Sequence, residues 1–301
     1  MKLCVYQWNQ VLDEVIPELK GELTDDWKKA DKLVVWCESK IYGWRERIER
    51  TQKRGKEVIL YQQGVWACDW VRPPFSEPII SDKVLVWGQE DKRRLVKYGT
   101  PAEKIIVTGS PIIKHLKPRV PHEGKNVVLA LEHWDFGTDC LENQIIASEL
   151  RKLEGVNIIT KGLIGENNPN FYQNPVFTNR FEKGHFEKVA EVLSTADIVV
   201  GLTESTLQFF AECLDIPVII VDIWQPKVRG GDKRYLDFKP NFSNGVTHVA
   251  LKDLNKEIYR QLKHPEIKRE ERRQSAIDNG GIDIKDPVKN IIDIINGNLS
   301  I

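Results

Sequence analysis

The sequence has no apolar run approaching the roughly 18 residues that a membrane-spanning helix needs, so no span is expected. Its first ten residues, MKLCVYQWNQ, hold only four consecutive apolar positions, too few for a secretory signal. CxxC spacing is absent too. The five cysteines (Cys4, Cys37, Cys68, Cys140 and Cys213) are odd in number and scattered, which argues against a disulfide framework. Reduced thiols, mostly in the core, are expected, as in a cytoplasmic protein. The six histidines, His115, His122, His133, His185, His248 and His264, form neither HxxxH nor HExxH, so no zinc site is expected. GxGxxG and the P-loop pattern GxxxxGK are both missing. Net charge is absent as well. Forty-four basic side chains balance forty-four acidic ones, so bulk attraction to nucleic acid or anionic lipid is not indicated.

What is present is an ordinary globular composition, 41% hydrophobic and 29% charged, over 301 residues. That length suggests about two domains and a core that needs no disulfide or structural metal. Short β-branched runs alternate with amphipathic stretches, the pattern of βα units around parallel sheets. In the first half, KLCVY, KLVVWCE (32–38), EVILYQ (57–62), KVLVWG (83–88) and IIVTGSP (105–111) read as strands. Helices are expected from Tyr42 to Lys53 and over QEDKRRLVKYG. KPRVPHEGK (117–125) is the best linker, with two prolines, a glycine and no apolar period. Beyond it the pattern restarts. NVVLALE (126–132), VNIITKG (156–162), ADIVVGL (196–202) and PVIIVDI (217–223) read as strands. Between them, Asp139 is placed as the cap of a helix with apolar positions Ile145, Leu150 and Leu153. Residues 163–184 read as loop, and helices are expected over His185–Ser194 and Ser205–Leu214. Leu251, Leu254, Ile258 and Leu262 fall at helical spacing, and Asp286-Pro287 opens a last helix. The expected division is a lobe over 1–117, a linker over 118–125 and a second lobe over 126–301. A cleft between lobes is the default place for a site.

The most informative segment is ADIVVGLTESTLQFFAECLDIPVIIVD, residues 196–222. A buried strand ends at Gly201 and Leu202, and Thr203, Glu204, Ser205 and Thr206 form the turn into a helix. A helix N-terminus offers free N–H groups and partial positive charge, and the hydroxyls add donors, which suits a diphosphate. The other reading of Ser205 and Thr206 is simple N-capping. Glu204 and Glu212, eight positions apart, fall on nearly one face of the helix line. A carboxylate there can accept from a ribose diol, or it can be a solvated helix residue.

This E-x7-E spacing before CLDIPVIIVD resembles the nucleotide-sugar site of GT-B glycosyltransferases, which have two Rossmann-like lobes. In the first half, EVILYQQGVW, SDKVLVWGQEDKRRLVKYG and KIIVTGSP resemble the acceptor lobe of a related group. That group includes CDP-glycerol and capsule-polymer transferases and the UDP-N-acetylglucosamine 2-epimerase superfamily. The similar stretches span about residues 57–115 and 126–223. The resemblance implies an α/β fold of two Rossmann-like lobes with the active site in the inter-lobe cleft. It implies ribose binding by Glu212, sugar or phosphate contact by Glu204, and a diphosphate held by Thr203, Ser205 and Thr206. Lys161 would lie near the same phosphates, where a fixed positive charge stabilises the departing group; its other reading is a solvated loop lysine. The spacing is associated with retention of anomeric configuration.

Two departures concern the acceptor side. The capsule-polymer group shows a His-Gly pair where this chain has Gln63-Gly64, and the first strand is followed by YQWNQVLDE rather than a glycine-rich loop. Alternative bases are Asp69, in a loop with Trp66, Trp70 and Phe75, and Asp135 in EHWDFG, where His133 can hydrogen-bond a donor phosphate or be a plain surface histidine and Trp134 can stack on a sugar or base. Arg180 is assigned to the nucleotide side. Two mixed-charge runs, over Arg45–Glu57 and Lys268–Arg273, are expected as solvated, ion-paired faces. Their other reading is a basic rim, since some viral GT-B enzymes glycosylate DNA bases.

The expected protein is a cytoplasmic, metal-independent glycosyltransferase using a UDP-sugar as donor substrate, with no further cofactor. A glycan or surface polysaccharide is the expected acceptor, with a DNA base as the lesser alternative. The other readings are a non-hydrolysing sugar-nucleotide 2-epimerase and an inert nucleotide-binding scaffold.

Overall fold

A computed structural model of the chain describes residues 1–6, 10–13, 15–38, 43–62, 79–131, 141–163, 171–178, 182–202, 206–223 and 244–298. Two compact units emerge from its contacts. One comprises Met1–Ile113 together with Ile277–Ile301, the other Lys114–Ala276. The first boundary thus falls a few residues before the linker expected from the prolines, and residues 277–301 group with the first unit instead of the second.

In the first unit, β1 (Lys2–Val5), β2 (Glu22–Leu23), β3 (Lys32–Val35), β4 (Glu57–Tyr61), β5 (Lys83–Val86) and β6 (Ile105–Val107) form one sheet. Its order is β2-β1-β3-β4-β5-β6, and every pairing is parallel. Parallel strands need crossover helices, which cover both faces and leave strands apolar throughout instead of alternating. Helices α1 (Trp44–Gln52) and α2 (Gln89–Lys97) pack against one face here. Leu33, Val35, Val58, Leu60, Val84 and Val86 meet Trp44, Ile48 and Leu95 in one core.

Polar contacts tie the tail to this unit. Ser110 donates its N–H to the Gly280 carbonyl at 2.9 Å. The final helix, α8 (Pro287–Asn296), starts as the Asp-Pro pair predicts, with Asp286 accepting from the Lys289 N–H at 3.1 Å. At its other end the Lys32 ammonium donates to the Ile295 carbonyl at 2.5 Å, a cation on the negative end of the helix dipole. These contacts are between groups far apart in sequence, which is why periodicity alone left the tail with its nearest neighbours.

The second unit carries β7 (Asn126–Ala130), α3 (Leu141–Leu150), β8 (Asn157–Leu163), β9 (Pro175–Thr178), α4 (His185–Ser194), β10 (Ile198–Gly201), α5 (Thr206–Cys213), β11 (Val218–Val221), β12 (Thr247–Val249), α6 (Leu254–Lys263) and most of α7 (Arg269–Gly280). Its sheet is also fully parallel, in the order β12-β11-β10-β7-β8-β9. Val127, Leu129, Ile198, Val200, Ile219 and Val221 build the core with Ile146, Leu150, Leu254 and Ile258. Of the apolar positions expected around α3, Leu150 and Leu153 are buried and one is misplaced. Ile146 is buried and Ile145 is 37% exposed.

Three strands escaped the sequence reading: β2, β9 and β12. All three are at sheet edges, two to four residues long, and β9 opens on a proline. A short edge strand needs neither an apolar run nor a full set of backbone donors, so it leaves little trace. The charge run on α7 also differs from expectation. Arg272 is 1% exposed and bound to Asp215 and the Pro265 carbonyl, at 2.6 and 2.8 Å, instead of standing on a solvated face. The other run behaves as expected on α1, where Arg50 pairs with Glu46 at 2.5 Å. Cys4 and Cys37 are buried free thiols and Cys213 is free and half-buried; Cys68, Cys140 and Asp139 lie outside the described residues. Among the described residues no helix is long and apolar enough to cross a membrane.

One buried carboxylate has a measurable consequence. Asp91, on the first turn of α2, accepts from the Gln62 amide at 2.7 Å, and burial pushes its pKa up to about 6 despite Arg94 nearby. A carboxyl that holds its proton more tightly when folded loses stability as pH rises from its unfolded value to about 6, and the loss is complete above that. Asp91→Asn removes the ionisation while keeping an acceptor for Gln62. The variant's stability relative to wild type is expected to be about 2 kcal/mol more favourable at pH 8 than at pH 4. Urea denaturation at both pH values checks this, and an unchanged difference would contradict it.

Candidate functional site

The order of the second sheet locates the site. From β7 the chain builds outward through β8 and β9, then returns to pair β10 on the other flank of β7 and continues to β11 and β12. The sheet therefore grows from β7 and from β10 toward opposite flanks, and open α/β sheets bind ligands in the crevice outside such a pair of carboxyl ends. The segments that follow these two strands are 132–140 and 203–205. They contain His133, Trp134 and Asp135, and Thr203, Glu204 and Ser205, all of them sequence candidates. These six, together with Gln63, Gly64, Trp66, Asp69 and Arg180, lie outside the described residues. Lys161, Thr206 and Glu212 lie within them.

Thr206 opens α5, as the turn reading required, and is half-buried. Behind it on the same helix, Gln208 is fully buried and its amide packs on Gly201, the last residue of β10. A side chain on Gly201 would collide with that amide, so a glycine here lets α5 start tight against the strand it follows. Gln208 had no motif to mark it in the sequence. Further along, Phe210 packs on Phe186 of α4 with ring centroids 6.2 Å apart, and His115 stacks on Phe186 at 5.9 Å. Burial is the chief cause that lowers the His115 pKa, with Glu187 opposing it.

Lys161 is not a solvated loop lysine. It sits inside β8, opposite Ala130 of β7 and Val176 of β9, and is 3% exposed. Its ammonium donates to Thr178 Oγ1 at 2.8 Å and to the Gly162 carbonyl at 2.6 Å. A buried ammonium needs such partners, because desolvation penalises its charge. Sequence reasoning found Lys161 and missed Thr178, which lies in the edge strand it read as loop.

Glu212 is not a solvated helix residue either. At 3% exposure its Oε2 accepts from Ser275 of α7 at 2.6 Å, while a Cβ on Gly245 would come within 2.6 Å of Oε1 and 2.8 Å of the Arg272 backbone. Gly245 is therefore a close-approach position that lets the segment before β12 pass beside both helices. Within the two turns of α7 before Ser275, Arg269 and Arg272 grip Asp215, each at 2.6 Å. The carboxylates of Glu212 and Asp215 together fasten α5 and the turn after it to α7. Burial pushes the neighbouring Cys213 thiol well above its ordinary range. Among the described residues no group of three or more His, Cys, Asp or Glu side chains stands where it could hold a metal ion.

No protein-family model matches the sequence, and no curated protein matches it significantly. Solved structures do match. The wall teichoic acid polymerase TagF is matched over 99% of this chain and 89% of that one, at 12% identity and a TM-score of 0.59. UDP-GlcNAc 2-epimerase from Neisseria meningitidis, bound to UDP-GlcNAc, is matched over 99% of both chains, at 13% identity and a TM-score of 0.58. The chain has a GT-B-like two-lobe fold. A third likeness, to S. aureus MnaA with UDP, covers 98% of this chain and 95% of that one at 10% identity and a TM-score of 0.59. GT-B-like folds are shared by nucleotide-sugar-using transferases and 2-epimerases, and at these identities the likeness extends to the fold alone.

The Glu212–Ser275 contact predicts a stability effect. Ser275→Ala takes a donor from a buried carboxylate, which should lower the unfolding free energy by about 1–3 kcal/mol. Urea titration reads this directly. A change below about 0.5 kcal/mol, typical of surface substitutions, would mean that the contact does not fasten α7.

Proposed function

We propose that the protein is a glycosyltransferase that moves a sugar from a nucleotide-diphospho-sugar, UDP-linked, to an acceptor hydroxyl of a glycan. What carries this reading is that the sequence Thr203-Glu204-Ser205-Thr206 directly follows β10, the strand at which the order of the sheet reverses, with the buried cation Lys161 one strand beyond β7. In this reading the donor diphosphate rests on the N-terminus of α5, where Thr203, Ser205 and Thr206 add hydroxyl donors. Charge grows on the diphosphate as the glycosidic bond breaks, and donors fixed beforehand stabilise it without reorganising. Lys161 supplies the full positive charge. No divalent cation is assigned a role.

Glu204 contacts the sugar or phosphates, and Glu212 the ribose hydroxyls, the latter requiring an approach past Ser275 and Gly245. Arg180 belongs to the nucleotide side. The first unit is the acceptor-binding one, with Gln63, Gly64 and Trp66 at the acceptor and Asp69 as its base. Trp134 is the aromatic contact from the second unit, His133 contacts a donor phosphate, and Asp135 is the alternative base. Retention of configuration rests on the Glu204–Glu212 spacing. A second reading, sugar-nucleotide 2-epimerisation, is favoured by the epimerase neighbours, whose likeness is as good as that of the polymerase.

A thermal-shift panel of UDP, GDP, CDP and dTDP on wild type and Lys161→Ala tests the donor site. At about 100 times its dissociation constant, UDP should add about 2.7 kcal/mol of stability. In a protein of this size that is an increase of about 5–10 °C, and Lys161→Ala should lose most of it. No shift with any of the four would refute the reading. Incubation with a UDP-sugar then separates the activities. UDP release that depends on an acceptor supports transfer, and a C2 epimer formed from donor alone supports the epimerase.

A further inference from the structure

We propose that Thr178 and His185 are positioning residues that aim the Lys161 ammonium at the donor diphosphate, an inference that rests on the reading of Lys161 above. Lys161 pairs with Val176 across β8 and β9, and Thr178, two residues on, shares that face of the sheet. Register alone thus brings the hydroxyl beside the lysine. The directions of the hydrogen bonds follow from the groups involved. An ammonium only donates, so Thr178 Oγ1 accepts from Lys161 at 2.8 Å. The threonine's own hydrogen then needs an acceptor, and His185 Nδ1 stands 2.9 Å from the same oxygen. Nδ1 fills that role only when unprotonated, which assigns His185 the neutral form with its proton on Nε2.

His185 is held in turn. It is the first residue of α4, after Gly184 in a left-handed conformation (φ 86°), and its ring meets Phe186 edge-on at 5.2 Å. A chain of three side chains therefore runs from the start of α4, through the end of β9, to the cation on β8. Two acceptors at Lys161, a hydroxyl and a main-chain carbonyl, each fix the direction of one of its N–H bonds. An anion held by an oriented cation binds more tightly than one that must first order it.

Isothermal titration of UDP into wild type and five variants tests this. Thr178→Val, nearly isosteric but without the hydroxyl, should weaken binding about tenfold, and Thr178→Ser should stay within about twofold of wild type. On the other side of the bond, His185→Phe should weaken binding about threefold or more, while His185→Asn, whose side-chain oxygen can replace Nδ1, should restore most of it. Lys161→Ala serves as the reference for full loss. If Lys161→Ala abolishes binding but Thr178→Val and His185→Phe bind like wild type, the positioning role is wrong and the donor site stands. Equal loss in Thr178→Val and Thr178→Ser also overturns it, since the hydroxyl then does not matter. If wild type binds no UDP, the donor-site reading itself fails.

Discussion

Parallel pairing of β7 with β10, through Val127 with Ile198, Val128 with Val199 and Leu129 with Val200, is the constraint on which the second unit depends. Strands so far apart in sequence can pair in parallel only after the chain has crossed over twice through α3 and α4. Both crossovers bury apolar faces against the sheet and leave the strand residues no exposed side. The same pairing turns the sheet's growth from one flank of β7 to the other. The sequence that follows these two strands carries hydroxyl, carboxylate and aromatic residues, among them Trp134, Asp135, Thr203 and Glu204. The first sheet reaches a similar result with a different order, reversing between β1 and β3.

Several polar side chains of the second unit are held by buried polar contacts instead of by apolar packing alone. Lys161, Gln208 and Glu212 are each nearly inaccessible, and each is oriented by groups from another element: β9 for the lysine, β10 for the glutamine, α7 for the glutamate. Removing one partner of such a contact leaves a desolvated polar group, so these positions are sensitive out of proportion to their contact area. Helix α7 is the extreme case. Through Arg269, Arg272 and Ser275 it grips two carboxylates on α5 and the turn that follows, and the chain beyond Ala276 packs as part of the first unit.

How much of this was legible in the sequence depends on whether a feature is local. The long β-branched runs gave the central strands, because a strand buried on both faces has to be apolar throughout. Asp286-Pro287 and the GLTEST turn marked helix starts through backbone chemistry carried by adjacent residues. Edge strands such as β9 and β12 left no such mark, and with β9 went Thr178. The burial of Arg272 was invisible for a different reason. Its partners Asp215 and Pro265 are brought to it by tertiary structure, and an alternating charge pattern reads identically whether its face is wet or packed. The candidates after β4, β7 and β10 follow from motif position, and only Lys161, Thr206 and Glu212 among the sequence candidates have a described environment.

The central claim is that a nucleotide diphosphate binds the second sheet at the carboxyl ends of β7 and β10. A crystal structure of the protein soaked with UDP tests it most directly. The account predicts diphosphate density against the N-terminus of α5 with the Lys161 ammonium in hydrogen-bond reach of a phosphate oxygen. Density for the nucleotide at any other place, with the α5 N-terminus unengaged and Lys161 turned away from it, would contradict the account.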